Sequence, residues 1–394
     1  MTARERYLKT FRGEKTDRMP VSLFIVEQGH YLSQLYPGTD PYDHERQFRE
    51  LVEYNRQLGA DVFVRLLADL YEPALHVIYG GVDIWQSTDV WQVTTTEHQK
   101  GNSRVLESSI RTPGGTLTQS FTINQSRPGT FMYGCTDFPV KTESDLDLVI
   151  QYEPPMPQSY PGIVEKATRR TKALVGNDGI VGAWVPFGVF NNASQLIRHE
   201  QLYALFLTDK PFYKKLMDFS LERFKPYAQA ILDGGCDVAH AGGNVPGGFL
   251  GRKNYDKYIL PYEKQMVDFL QKDGCVCMYH NCGTIMKLVE SYRELGAIAV
   301  EPFSPVPLGD TDLAAALEIV NGAYTVTAGV DQVNVLQNGT VADTIKATRE
   351  VALLGQQKGQ GRFIIQNADF MEYGTPPENV QAFVQTAMEF AQYE

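Results

Sequence analysis

The sequence predicts an α/β fold in which eight parallel strands close into a single (β/α)8 barrel. Short apolar, β-branched runs alternate with longer stretches of helical periodicity along most of the chain, which is typical of repeated βα units. Eight such runs are present, the number that a closed parallel barrel needs. No composition shift or linker divides the 394 residues, so we expect one domain spanning residues 1–394.

The predicted strands are short, are rich in apolar residues and are bounded by turn residues. They lie at residues 20–26, 61–66, 180–186, 237–240, 275–280, 298–301, 324–329 and 363–367. The charged segment before the first strand is expected to form an N-terminal helical extension.

The predicted helices repeat apolar residues at helical spacing, and several begin at a capping residue. They include residues 41–58, 201–218, 254–272, 284–295, 341–355 and 377–393. Asp40 and Thr340 each precede a helix, where a side-chain oxygen can accept from a free backbone N–H.

Residues 82–138 interrupt the alternation of strands and helices. Short alternating strands separated by turn residues replace any helical period there. We expect a β-hairpin insertion after the second barrel strand, acting either as a lid or partner surface or as a purely structural flap.

Composition and charge exclude several classes of function. The chain is 43% hydrophobic, enough for a large core, and its net charge of −11 disfavours nucleic acid and anionic membranes. The first residues are charged and no window approaches a bilayer span, so we expect a cytoplasmic protein. Five sparsely placed cysteines fit reduced thiols or metal ligation better than disulfides.

In a closed parallel barrel the C-terminal strand ends meet at one mouth, where barrel enzymes keep their chemistry. The predicted strand ends carry residues suited to binding or catalysis. They are Glu27, Arg65, Trp184 with Pro186, His240, His280 with Cys282, Glu301, Asp331, and Asn367 with Asp369. Their coincidence at one rim indicates an active site.

The segment from His280 to Gly283 predicts a metal site. Imidazole and thiolate one residue apart can both reach one zinc ion if the backbone turns, and Gly283 supplies a turn. The alternative is a core histidine beside a buried cysteine. A third ligand is also needed, and Glu301 on the next strand is preferred over His240 and Asp369.

Motifs spread along nearly the whole chain resemble those of one superfamily. They are residues 4–6 with 17–21, 112–116, 138–145, 258–262, 280–283 and 375–380. Together they are similar to the uroporphyrinogen decarboxylase superfamily, and within it to the corrinoid-dependent methyltransferases. The resemblance implies a TIM-type barrel, zinc held by His280 and Cys282, and methyl transfer between a small substrate and the cobalt of a corrinoid.

Two departures from that resemblance narrow the function. Residues 20–28 contain no arginine, whereas the true decarboxylases carry an arginine-rich signature there that grips carboxylates. Ala368 stands where thiol-methylating members have a further cysteine ligand. Either an oxygen or nitrogen ligand such as Glu301 completes the site, or the metal is absent.

We therefore expect a zinc-dependent methyltransferase that moves a methyl group from an O-methylated, or secondarily an N-methylated, small substrate to a corrinoid (cobalamin). The corrinoid is expected on a partner protein or as a cosubstrate. Oxygen or nitrogen ligation leaves a harder Lewis acid, which suits an oxygen leaving group. Asp369, Tyr279 or His240 would handle a proton. The residues expected to bind substrate are Arg65, Trp184, Phe187, Phe303 and Asn367.

Two rival functions remain open on the sequence alone. One is a metal-free lyase on a small carboxylate, with Arg65 or Arg252 binding the acid. The other is a binding subunit that keeps the barrel without its chemistry. The sequence also leaves a homo-oligomer open.

Overall fold

The computed structural model describes residues 1–26, 31–40, 43–66, 81–127, 130–186, 188–245 and 247–393. Glu27 and Phe187 lie outside these ranges. Eleven strands form two sheets, a parallel one of order β1-β6-β7-β8-β9-β10-β11 and an antiparallel one of order β2-β3-β4-β5. The strands are β1 Val62–Leu66, β2 Gln92–Lys100, β3 Ser103–Thr112, β4 Gly115–Arg127, β5 Thr130–Asp137, β6 Gly179–Trp184, β7 Val238–Gly242, β8 Val276–His280, β9 Ala299–Phe303, β10 Thr325–Val330 and β11 Phe363–Asn367.

An extended segment at residues 20–26 joins the two edges of the parallel sheet. The backbone N–H of Ser22 donates to the carbonyl of Ile365 on β11 at 2.8 Å. On its other side, the N–H of Asp61 donates to the carbonyl of Val21 at 2.8 Å. The predicted TIM-type barrel is confirmed, with one correction: the first predicted strand is an irregular segment with a single bridge, Val21 to Ile365.

Helices follow most strands and pack around the outside of the sheet. They are α1 Ala3–Arg12, α2 Leu32–Leu35, α3 His44–Leu58, α4 Glu143–Tyr152, α5 Tyr160–Val175, α6 Val189–Leu196, α7 His199–Thr208, α8 Lys210–Asp233, α9 Gly247–Leu250, α10 Arg252–Asn254, α11 Leu260–Gln271, α12 Ser291–Leu295, α13 Leu313–Val320, α14 Val341–Lys358 and α15 Pro377–Phe390. Two π-helices, Tyr255–Ile259 and Gln332–Gln337, and a 3-10 turn, Met286–Leu288, complete the described helical segments.

Three predicted helices are interrupted in the structure. Residues 201–218 divide between α7 and α8 because Asp209 caps α8, its side chain accepting from the N–H of Phe212. Residues 254–272 begin as a π-helix before α11. Residues 284–295 contain only a 3-10 turn and the short α12.

The predicted cap of α14 is confirmed and that of α3 is displaced. Thr340 and Asp343 form a reciprocal capping box, in which each side chain accepts from the other residue's backbone N–H. Asp43 caps α3 instead of Asp40, because its carboxylate accepts from the N–H of Arg46.

The N-terminal helix α1 packs at the end of the barrel where the strands begin. Tyr7 and Phe11 of α1 form one buried cluster with inward-facing strand residues, including Phe63, Val276 and Met278. Cys277 and Tyr279, which alternate with these along β8, belong to the larger core instead. The extension therefore covers the end of the barrel opposite the C-terminal ends of the strands.

The insertion is a four-stranded antiparallel sheet, β2 to β5, larger than the expected hairpin. It follows β1, as predicted, and β3 presents alternate buried residues such as Leu106 and Ile110. No helix within the described part of the chain combines the length and apolarity that a bilayer crossing requires. All five cysteines lie in described segments and carry free thiols.

Candidate metal centre

Three side chains at the C-terminal end of the barrel bring metal-ligand atoms together. His280 ends β8, Cys282 lies two residues beyond it, and Asp369 follows β11. One nitrogen, one sulfur and one carboxylate oxygen from these residues lie within 4.8 Å of one another. Zinc accepts all three ligand types in tetrahedral sites, so this set fits a zinc ion that keeps one position open to substrate.

The turn after β8 is fixed by a buried amide. Asn281 is fully buried; its side-chain oxygen accepts from the N–H of Val245 at 2.8 Å, and its amide donates to the hydroxyl of Tyr292 at 2.8 Å. Gly283, at φ 89°, then takes a backbone conformation that favours glycine. Asn281 thus points away from the mouth while His280 and Cys282 on either side of it converge.

Cys282 is half-buried and has a polar partner from the neighbouring loop. Its thiol donates to the side-chain oxygen of Asn244, which follows β7, at 2.5 Å. This contact holds the sulfur toward the barrel mouth.

Asp369 is held by the backbone of the next residue and by the π-helix that follows β10. Its N–H donates to the side-chain oxygen of Gln332 at 3.1 Å, and one carboxylate oxygen accepts from the N–H of Phe370 at 2.7 Å. Burial raises the pKa of Asp369. A bound cation would offset this effect by favouring the ionised carboxylate.

Glu301 lies beside the three converging residues and is not one of them. The register between β8 and β9 pairs His280 with Glu301, and one Glu301 oxygen lies 3.3 Å from Nδ1 of His280. This contact leaves Nε2 of His280 for a metal ion. The structure therefore favours Glu301 as the group that orients His280, with Asp369 as the third ligand.

Arg65 compensates the buried charge of Glu301. Its Nη2 lies 3.1 Å from Oε2 of Glu301, and both side chains are fully buried. The guanidinium lies 4.1 Å and 4.0 Å from the ring centroids of Phe24 and Phe63, and it also donates to Gln366 at 2.6 Å. Although burial opposes ionisation, Arg65 and the two histidines hold the pKa of Glu301 well below its usual range.

His240 is fully buried next to the same carboxylate. Its Nδ1 lies 3.4 Å from Oε1 of Glu301, and its ring packs 4.8 Å from that of Trp184. Burial lowers the pKa of His240 to about 4, so the ring is neutral at physiological pH. His240 is outside the converging ligand set and supplies no proton at that pH.

His280 has a different electrostatic setting from His240. Burial alone would lower the pKa of His280, but hydrogen bonds with Cys282 and Glu301 raise it to about 10. The metal-free ring is therefore the imidazolium cation at neutral pH, with a proton on each nitrogen. Binding of a metal ion must release that proton, so the affinity for metal should fall as the pH falls.

The remaining predicted residues are distributed between the site and the core. Trp184 lies at the site, with its ring 5.2 Å from that of His280 in an edge-on arrangement. Phe303 is 2% exposed and packs within the large core. Asn367 is buried, and its amide spends both donors on the carbonyls of Phe24 and Asp369. Neither of these two residues offers a free surface to substrate.

Tyr279 does not face the site, because strand alternation puts it on the opposite face from His280. Its ring is fully buried and lies 5.6 Å from that of Tyr292. The geometry does not support a proton-transfer role for it.

Three residues of the site were not predicted. Phe24 has its ring 6.3 Å from that of His280, Gln366 contacts both Arg65 and Glu301, and Asn244 contacts Cys282. Gln366 carries a detectable signal, a polar residue inside an apolar strand. Phe24 and Asn244 carry none, because only the folded barrel shows where their segments run.

The chain is similar to one protein family and to two named methyltransferases. The family model for uroporphyrinogen decarboxylase (URO-D) matches residues 135–390. Methylcobamide:CoM methyltransferase MtbA of Methanosarcina mazei is 26% identical over 215 residues, which cover 54% of this chain and 60% of MtbA. A methylated-thiol–coenzyme M methyltransferase of the same organism is 25% identical over 140 residues, which cover 36% of this chain and 34% of that protein.

A solved structure shares the fold along the whole length. A methyltransferase from Methanosarcina mazei superposes with a TM-score of 0.69 at 15% identity, covering 99% of each chain. The matched part of this chain spans about three fifths of MtbA, 60% of its length.

Proposed function

This chain belongs to the uroporphyrinogen decarboxylase (URO-D) family, and from that premise we propose that it is a zinc-dependent methyltransferase. The substrate is a small O-methylated compound, with an N-methylated compound as the second choice. The methyl acceptor is a corrinoid, carried by a partner protein or supplied as a cosubstrate, and the reaction takes place in the cytoplasm.

The convergence of His280, Cys282 and Asp369 carries this proposal. Their ligand atoms lie within 4.8 Å of one another at the barrel mouth. The relatives support methyl transfer as the reaction class, since both are named as methyltransferases and MtbA is named for a methylcobamide.

The third ligand favours an oxygen leaving group. A carboxylate in place of a thiolate donates less charge to zinc, and when bound the ion would supply Lewis acidity toward an oxygen atom. Ala368 offers no thiol at this position, and Asp369 one residue further on supplies the carboxylate. A substrate whose methyl group is attached to oxygen fits this set better than a thiol does.

The protein's own residues hold the site in one arrangement. Glu301 accepts from Nδ1 of His280 and so fixes the tautomer that presents Nε2. Arg65 keeps Glu301 ionised and in place. Trp184, packed edge-on against His280, supplies an apolar wall that limits access of water to the ligand set.

The burial of Arg65 disfavours the alternative lyase. A residue that binds a substrate carboxylate must reach the mouth, but Arg65 is 1% exposed and already paired with Glu301. Arg252, the other candidate, is already paired with Asp256 and Glu290. The other alternative, a binding subunit without chemistry, differs from the proposal only in turnover.

The test combines metal analysis with a methyl-transfer assay. Purified chain is supplied with zinc, a reduced cobalamin and a panel of methyl ethers, and methylcobalamin is followed by its absorbance. We expect one zinc per chain and turnover with at least one ether. His280→Ala, Cys282→Ala and Asp369→Ala should each lose zinc and turnover.

Cys135→Ser is the matched control. Cys135 lies in β5 of the insertion, and its thiol donates to the backbone carbonyl of Asp137. It should keep both zinc and activity. Full turnover in the His280→Ala protein would refute the proposal, and zinc binding without turnover on any ether would favour the binding subunit.

A further inference from the structure

Two cysteines meet at the opposite end of the barrel from the candidate metal centre. Cys236 lies just before β7 and Cys275 just before β8, two neighbouring parallel strands. The register pairs Val238 with Val276, which sets the two preceding segments side by side. The thiol of Cys236 donates to the carbonyl of Ile231 at 3.7 Å, and the thiol of Cys275 donates to the carbonyl of Val276 at 3.8 Å, so both side chains lie at this end of the two strands.

Both thiols line an open cleft. The cleft has a volume of about 430 Å³ and lies between α1 and the beginnings of β7 and β8. Cys236 and Cys275 are each half-buried, whereas Cys277 on the same strand is fully buried. A small reagent can therefore reach the pair from solvent.

The cleft is separate from the metal centre. Cys275 and His280 lie at opposite ends of β8, five residues apart in the sequence. At roughly 3.3 Å per residue, this corresponds to about 16 Å along the strand. Chemistry at the thiol pair can be measured without involving the metal ligands.

The charges around the pair restrict the reagent. Asp233, Asp237 and Asp273 line the cleft, and Asp237 is paired with Arg4 and Lys172 at 2.6 Å and 3.0 Å. Arg12 also lines the cleft but is paired with Glu14, so Asp233 and Asp273 remain to repel an oxidant that carries negative charge, such as a disulfide bearing carboxylates. A small neutral oxidant such as a hydroperoxide is not repelled.

We propose that Cys236 and Cys275 form a hydroperoxide-reactive dithiol that closes reversibly to an intramolecular disulfide. One thiolate attacks the O–O bond, giving a sulfenic acid and releasing the alcohol, or water when the reagent is hydrogen peroxide. The second thiol attacks the sulfenic sulfur and releases water. In sum, two thiols and one hydroperoxide give one disulfide, one alcohol and one water, and an added dithiol restores the reduced pair.

The two cysteines have different roles in this reaction. The interaction between the two neighbouring thiols raises the pKa of Cys236 and lowers the pKa of Cys275. Because the thiolate is the nucleophile, Cys275 reacts first and Cys236 resolves the sulfenic acid.

The experiment treats the reduced full-length chain with one equivalent of hydrogen peroxide. We expect two of the five thiols to disappear, a mass decrease of two hydrogens, and a cross-linked peptide pair containing Cys236 and Cys275. Dithiothreitol should restore all five thiols. These measurements on the unmodified chain do not depend on the folding of any variant, nor on methyl transfer.

Variants assign the order of the steps. Cys236→Ser should leave a sulfenic acid at Cys275 that dimedone traps, whereas Cys275→Ser should protect Cys236 from oxidation. Cys135→Ser, remote from the cleft, should form the disulfide as the unmodified chain does. Five intact thiols after peroxide, or a disulfide that joins any other pair, would overturn the proposal.

Discussion

At the scale of single residues, Glu301 contacts several side chains of the candidate metal centre and is not one of its three converging residues. Its two oxygens contact His280, His240, Arg65 and Gln366, so one buried carboxylate connects both histidines to the arginine. A carboxylate on the second ring nitrogen of a metal-binding histidine raises the basicity of the ligand and fixes its orientation.

Glu301→Gln should weaken zinc binding by roughly 10-fold to 100-fold, because the amide removes the negative charge that favours a correctly oriented His280. The affinity is measured by competition with a chromogenic chelator at fixed pH. Glu290→Gln, at an exposed carboxylate paired with Arg252, is the control and should leave the affinity unchanged. An unaltered affinity in Glu301→Gln would mean that the contact with His280 has no bearing on the metal.

The sequence located part of this centre and not all of it. His280 and Cys282 were predictable because their ligand types and spacing are local properties of the chain. Glu301 was correctly placed beside His280, since the two residues end neighbouring strands, but its preferred role as a ligand depended on where its side chain turns. The ion pair with Arg65 orients the side chain of Glu301, and it joins residues 236 positions apart in the sequence.

At the scale of elements, helix α11 stabilises the start of α6 through one buried carboxyl group. Glu263 on α11 accepts from the N–H of Phe190 in the first turn of α6 at 2.8 Å. Among the described residues, the second oxygen of Glu263 is buried and has no hydrogen-bond partner. Burial raises the pKa of Glu263 to about 7, so a protonated carboxyl group suits this position better than an ionised one.

The stability of the fold should therefore depend on pH through Glu263. The folded chain holds this proton more tightly than the unfolded chain, so the stabilisation is complete below the unfolded pKa of 4.5 and is lost as the pH rises through about 7. At pH 8 the loss is on the order of 3 kcal/mol. Glu263→Gln should remove it and flatten the unfolding free energy between pH 5 and pH 8 in urea titrations.

Glu222→Gln, at an exposed glutamate on α8, should keep the original slope and serves as the matched control. An equally steep slope in the Glu263→Gln chain would show that another group carries the pH dependence.

The elements show where local sequence patterns suffice. All eight predicted strand positions are found, seven of them as regular strands. A short run of apolar, β-branched residues indicates a buried strand without any knowledge of its partners. The helix predicted at residues 284–295 is found only as a 3-10 turn and the short α12. Asp310, from a distant loop, caps the 3-10 turn by accepting from the N–H groups of Ile285 and Met286. The break at Asp209 could have been predicted, because an aspartate followed by Lys210 and Pro211 marks a helix start.

At the scale of the whole molecule, closure of the barrel depends on a buried cluster around Asp61. Its carboxylate accepts from Arg6 at 2.5 Å, from Arg18 at 2.6 Å and from the N–H of Val21 at 2.8 Å. The cluster ties α1, the extended segment and the start of β1 together. The barrel is thus completed by charge pairs where a regular strand is missing.

Asp61→Asn should destabilise the chain by about 3 to 5 kcal/mol, because the buried guanidinium of Arg18 loses its carboxylate and that of Arg6 keeps only the partly exposed Asp17. Urea unfolding followed by circular dichroism measures the change. Asp178→Asn is the control, since Asp178 pairs with Arg56 at the surface with about half of each side chain exposed, and it should change stability by no more than about 0.5 kcal/mol. A similar small effect for Asp61→Asn would show that the segment is held by other contacts.

The pairing of Ser22 with Ile365 has a consequence for biosynthesis. During translation the early segment has no neighbour on that side until the codons for β11 have been read, and Asp369 appears later still. A nascent chain at that stage has His280 and Cys282 on an open sheet without Asp369, so these two residues would bind an ion only weakly. Under the proposed function, the full ligand set would exist only after synthesis has passed Asp369, so zinc would bind to a nearly complete barrel and would not start its folding.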